Sequence, residues 1–119
     1  MTYDDENIFA KILRGEIPCD KVFEDDHVLA FRDIAPQAPV HVLVIPKGSY
    51  VSISDFGANA SPEEQAAFFS AISKIADQEK LVEKGFRSIA NTGDHGGQEV
   101  PHFHMHLLGG ELFGSMILR

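Results

Sequence analysis

The chain has 119 residues, a net charge of −8, 44% hydrophobic and 24% charged residues, which is the length and composition of one soluble globular domain spanning 1–119. The acidic balance argues against duplex nucleic acid and anionic membrane as partners, while leaving room for a local phosphate pocket. One cysteine, Cys19, excludes an internal disulfide or a Cys-based zinc knuckle; no apolar run reaches the roughly 18 residues of a membrane span, and the acidic stretch Met1 to Phe9 is no secretory leader, so a cytoplasmic protein is expected.

In chain order, Ile8, Phe9, Ile12 and Leu13 form one helical stripe, with Asn7 placed to cap it and Gly15 to stop it. Lys21–Glu24 and His27–Arg32 read as two strands around an Asp25-Asp26 turn. A stiff loop with Pro36 and Pro39 follows. His41–Pro46 is a third strand, apolar enough to sit centrally with both faces covered. The long helix begins at Ser61, with Pro62 in the first turn and Glu64 three after the cap. Phe68, Phe69, Ile72, Ile75 and Ala76 mark its core stripe, and Lys84-Gly85 its end. Phe86–Asn91 is a fourth strand, and Thr92 to Glu99 is a glycine-rich turn. The expectation is an α+β fold: a five-stranded antiparallel sheet, one long and one short helix, with the helices on one face.

The fifth strand carries the chemistry. His102, His104 and His106 alternate with Phe103, Met105 and Leu107, so an extended backbone puts three imidazoles on one face, about 6–7 Å apart, and the apolar residues on the other. Imidazole titrates near neutrality, which makes such a row costly as mere scaffold. Three readings fit. Two histidines on alternate strand positions can chelate zinc, although the flanks offer no carboxylate partner beyond Glu99. A neutral imidazole can attack phosphorus, splitting one substitution into two easier steps. In that reading His104 has a like neighbour on each side; crowding disfavours charging all three and keeps it ready to attack. Glycines 93, 96 and 97 let backbone N–H groups approach the phosphate. The third reading is nucleotide binding without turnover.

With those residues assembled, the chain resembles the histidine triad (HIT) family, and within it the Hint branch of purine nucleoside phosphoramidate hydrolases. The core of the likeness is His102-Phe103-His104-Met105-His106-Leu107-Leu108. Around it stand Asn91-x-Gly93, Gly97-Gln98 and Gly109-Gly110. Further upstream are Ile8-Phe9, Glu16-Ile17-Pro18, Phe23-Glu24-Asp25-Asp26, Ala30-Phe31-x-Asp33-Ile34-x-Pro36-Gln37-Ala38-Pro39-x-His41 and Leu43-Val44-Ile45-Pro46-Lys47. The resemblance implies that His104 is the nucleophile, forming a nucleotidyl-histidine at the α-phosphorus. It implies that His102 and His106 orient and contact phosphate, and that His41 is a fourth active-site histidine. Asp33 would hold the ribose hydroxyls. Ile34 adjoins it, and Ile8, Phe9, Ile12, Ile17 and Phe31 would form the purine slot. Asn91, Gly97 and Gln98 would contact phosphate and ribose. It further implies a dimer with a continuous sheet, a purine nucleotide substrate, and no metal or other cofactor.

Two positions depart from that pattern. Glu99 stands where Hint members have a phosphate-contacting serine, so its carboxylate turns outward, stays protonated or donates a proton; the first is expected, because an ionised carboxylate beside phosphate costs energy. The tail Glu111–Arg119 lacks the tryptophan of those members. The rivals are a dinucleoside polyphosphate hydrolase of the Fhit type, a non-catalytic nucleotide-binding interaction module, and a metal hydrolase.

Overall fold

A computed structural model describes residues 2–117; the end of the tail, Leu118 and Arg119, lies outside the described residues. Alternation of apolar side chains fixes the architecture. Strands β1 (Lys21–Glu24), β2 (Val28–Arg32), β3 (Val40–Pro46), β4 (Arg87–Ile89) and β5 (Met105–Gly109) form one antiparallel sheet in the order β1-β2-β3-β5-β4. Strand β3 lies in the middle, as its unbroken apolar run anticipates. Val28, Ala30, Val42, Val44 and Leu107 point to one core, while Leu29, Phe31, Leu43 and Ile45 point to another on the opposite face. Full burial of a side chain such as Ile45 or Leu107 contributes roughly 1.5–3 kcal/mol.

Each face has its own cover. Helix α1 (Ile8–Leu13) inserts Phe9 against Leu29, Phe31, Leu43 and Ile45. Helices α2 (Ile53–Asn59) and α3 (Pro62–Gln78) close the other face through Phe56, Phe68, Ala71 and Ile75. The expectation of helices on a single face is therefore corrected. Phe9 is too large and apolar to leave in water, and the second row of β2 and β3 side chains needs a partner.

The caps follow local chemistry. The Asn7 side chain accepts from Ala10 N–H at 2.9 Å, and Ser61 and Glu64 form a reciprocal capping box at 3.0 Å each. Helix α3 stops at Gln78, short of Lys84-Gly85. There Lys80 takes a left-handed φ of 61°, and Leu81 N–H returns to the Ala76 carbonyl at 2.8 Å. This closure buries Leu81 to 4% exposure. Phe69, expected in the core stripe, is 64% exposed, since the buried face runs through Phe68, Ala71, Ile75 and Ala76 instead. Two short helices were not anticipated. They are α2, capped by Ser52, and α4 (Gly93–Gly96) inside the glycine-rich turn.

Candidate active site

The histidine segment is only half a strand. Pairing of β5 with β3 ends at Val44↔Met105, so His102 and His104 precede the ladder, correcting the expectation of a strand through all three. The cause lies in the next facing positions. Pro46 has no N–H to give, and Phe103 N–H is taken by the Tyr50 carbonyl at 2.7 Å. Alternation nevertheless persists. Phe103, Met105 and Leu107 pack in the core under α2 and α3, whereas His104 and His106 line a cleft on the α1 side.

Hydrogen bonds assign a tautomer to every ring of the group. His102 is 0% exposed; its Nε2 lies 2.9 Å from the Pro46 carbonyl, an acceptor only, so Nε2 carries the proton. Its Nδ1 is then an acceptor and receives the Tyr3 hydroxyl at 2.6 Å. His104 Nδ1 lies 2.7 Å from the His102 carbonyl and must donate, which leaves the lone pair on Nε2. His41 Nδ1 accepts from Gln37 N–H at 3.1 Å. His41 Nε2–H therefore donates to His106 Nδ1 at 2.9 Å, and His106 presents Nε2–H as a donor. The Phe9 ring stands edge-on to His104, centroids 4.9 Å apart.

Burial keeps these rings neutral. It lowers His41 and His104 from their ordinary value of 6.5. It takes His102 and His106 down to about 4, with repulsion from His104, and for His106 also His41, adding to the effect. Against this, the negative charges of Asp33 and Glu99 favour the charged form of His104.

The cleft has a volume of about 450 Å³ and is lined by Ile8, Phe9, Ile12, Ile17, Phe31, Asp33, Ile34, Asn91, Gly97, Glu99, His104 and His106, together with Pro18, Cys19, Arg32, Gln37, Leu43 and Val100. One part is apolar and the other carries imidazoles, a carboxylate and a glycine loop, which suits a flat apolar ring joined to a polar group. Asp33 sits at the join. One oxygen accepts from Ala35 N–H at 2.8 Å and the other lies 3.5 Å from His41 Nε2. His41 and His102 lie behind the lining. Gln98 is not among the residues that line the cleft. Its side chain accepts from Gly93 N–H and donates to the Val51 and Val100 carbonyls, stapling the glycine loop shut. Glu99 is exposed yet on the cleft wall. Tyr3, Cys19 and Leu43 carried no sequence signal of a site role, because each is an ordinary residue for its segment.

Among the described residues, the ligand atoms of Asp33, His41 and His106 lie within 4.8 Å of one another and could hold a metal ion. The carboxylate is thus Asp33, not Glu99. An ion there would have to displace the proton shared between His41 and His106.

A five-stranded antiparallel α+β sheet with alternate histidines, two of them lining a half-apolar cleft, defines the histidine-triad class of proteins. The HIT domain family model matches residues 14–112. A HIT-like protein from Azospirillum brasilense is 52% identical, covering 99% of this chain and 97% of that one. The purine nucleoside phosphoramidase of Escherichia coli K12 is 51% identical over 95% of this chain and 94% of its own. The solved histidine triad protein from Clostridium difficile superposes with a TM-score of 0.84 at 42% identity, covering 98% of this chain and 100% of that one. The chain belongs to the HIT family.

Proposed function

We propose that this HIT-family protein hydrolyses purine nucleoside 5′-phosphoramidates to the nucleoside monophosphate and an amine. The observation that carries the reading is the tautomer of His104. Its Nδ1–H is held by the His102 carbonyl, so Nε2 has a free lone pair on a residue that lines the cleft. In the first step Nε2 bonds to phosphorus and the phosphorus–nitrogen bond to the amine breaks, the departing nitrogen accepting a hydrogen bond from His106 Nε2–H and taking its proton from solvent. In the second, water attacks the phosphorus, the bond to Nε2 breaks, and the water's proton returns to solvent. The apolar wall takes the purine, Asp33 the ribose hydroxyls, and Asn91 and Gly97 the phosphate, with no metal in the chemistry. The 51% identity to a purine nucleoside phosphoramidase supports this substrate class over dinucleoside polyphosphates.

The test is release of AMP from an adenosine phosphoramidate. His104→Ala is expected to lower kcat by at least about 10³-fold while AMP still binds; unchanged turnover would exclude the assigned nucleophile. Full activity after exhaustive chelation is expected, and its loss would favour the metal reading of Asp33, His41 and His106.

We further infer a homodimer built by adding a second sheet at β4. Two features support it: among the described residues β4 pairs with β5 alone, and Phe69, Val82 and Phe86 are exposed apolar side chains. Light scattering is expected to give twice the chain mass, and a monomer at micromolar concentration removes this part of the reading.

A further inference from the structure

We propose that Tyr3 is a positioning residue for the His104 nucleophile, acting through His102; this rests on the reading of His104 above. The Tyr3 hydroxyl donates to His102 Nδ1 at 2.6 Å, and the two rings meet edge to face with centroids 5.6 Å apart. Tyr3 does not line the cleft, so it touches no substrate. Its effect is carried by geometry: His102 is anchored at one nitrogen by Tyr3 and at the other by the Pro46 carbonyl. That double anchor fixes the one backbone carbonyl that holds His104 Nδ1–H.

The segment before α1 is built to deliver this contact. The Asp4 carbonyl accepts from the Asn7 side-chain amide at 2.7 Å, and Glu6 N–H donates to the Asp4 carboxylate at 2.9 Å. Asn7 is buried and at the same time caps α1 through Ala10 N–H. One asparagine thus ties the turn that carries Tyr3 to the helix that carries Phe9, and Phe9 packs against His104. Without the hydroxyl, His102 Nδ1 is a buried acceptor with no donor, and the ring, held at Nε2 alone, regains freedom to tilt. A tilt at His102 moves its carbonyl, and with it the direction of the His104 lone pair.

Tyr3→Phe in the full chain keeps the ring and removes only the hydroxyl. On an adenosine phosphoramidate, kcat is expected to fall about tenfold with KM within about twofold. Nitrogen-15 NMR of the imidazoles should show His102 Nδ1 moving toward the free-nitrogen position and His104 leaving its single tautomer. A purely structural Tyr3 would lower the melting temperature and leave kcat and the His104 ring signals unchanged, and that result overturns the proposal. A ring-fluorinated tyrosine at position 3, a stronger donor of nearly the same shape, should move His102 Nδ1 the opposite way while preserving kcat. That arm decides if the Phe variant fails to fold, and no response at either ring overturns the proposal. If the wild-type protein shows no turnover, the functional reading has failed, and the NMR arm alone still decides whether Tyr3 sets the ring of His104.

Discussion

Each histidine of the group has its protons placed by a partner that can act in only one way. Carbonyls accept from His102 Nε2 and His104 Nδ1, and a backbone N–H donates to His41 Nδ1. With burial lowering all four rings below 6.5, the neutral forms persist at pH 7. The acid limb of kcat/KM is therefore expected below pH 6.5. Removing a nearby negative charge makes the imidazolium less favourable, so Glu99→Gln should lower His104 further and move that limb to lower pH; Asp33, the other carboxylate acting on His104, stays in place. A limb that moves to higher pH, measured against wild type under the same salt, contradicts the sign. The three alternating histidines were legible in sequence from their spacing, whereas His41 and Asp33 were reached only through the family resemblance. The protonation of the rings was legible in neither way, because it depends on Pro46, Gln37 and Tyr3.

At the scale of elements, the caps and alternating strands were legible because their causes are local. Asn7 and Ser61 need only the next few residues, and the inward rows of β2 and β3 follow from period two. Where elements end depends on other elements. The start of β5 is set by Pro46 and Tyr50, and the end of α3 by the burial of Leu81. The return from β5 also shows a constraint that spacing alone does not reveal. Gly110 has φ 91°, and a Cβ there would meet Pro39 Cβ at 2.8 Å. Gly110→Ala should destabilise the fold by about 2 kcal/mol, read as a lowered denaturant midpoint with unchanged m-value. A neutral result would mean the β5 exit moves easily away from the proline loop.

For the whole molecule, buried neutral histidines link stability to pH. His102 has an ordinary value of 6.5 and is held at about 4 in the fold. Above 6.5 neither state binds a proton there and the contribution is level. As pH falls from about 6.5 to about 4 the unfolded chain takes up the proton first, so stability drops, by roughly 3 kcal/mol for this residue. His106, also held at about 4, acts in the same direction. Denaturation midpoints should be flat above about pH 7 and decline steadily toward pH 4; a flat profile across that range would refute the linkage.

The amino-acid order by itself determined the alternating rows, the caps, the central place of β3, the histidine spacing and the family likeness, since each arises from neighbours a few positions apart. Only the closed fold decided that α1 covers the second face, that Gln98 staples a loop, that Asp33 meets His41 and His106, and that Tyr3 reaches His102. The physical reason is separation along the chain: Tyr3 and His102 are 99 residues apart and His41 and His106 are 65 apart. Such partners are chosen by how two covered faces of one sheet come together, not by any local periodicity.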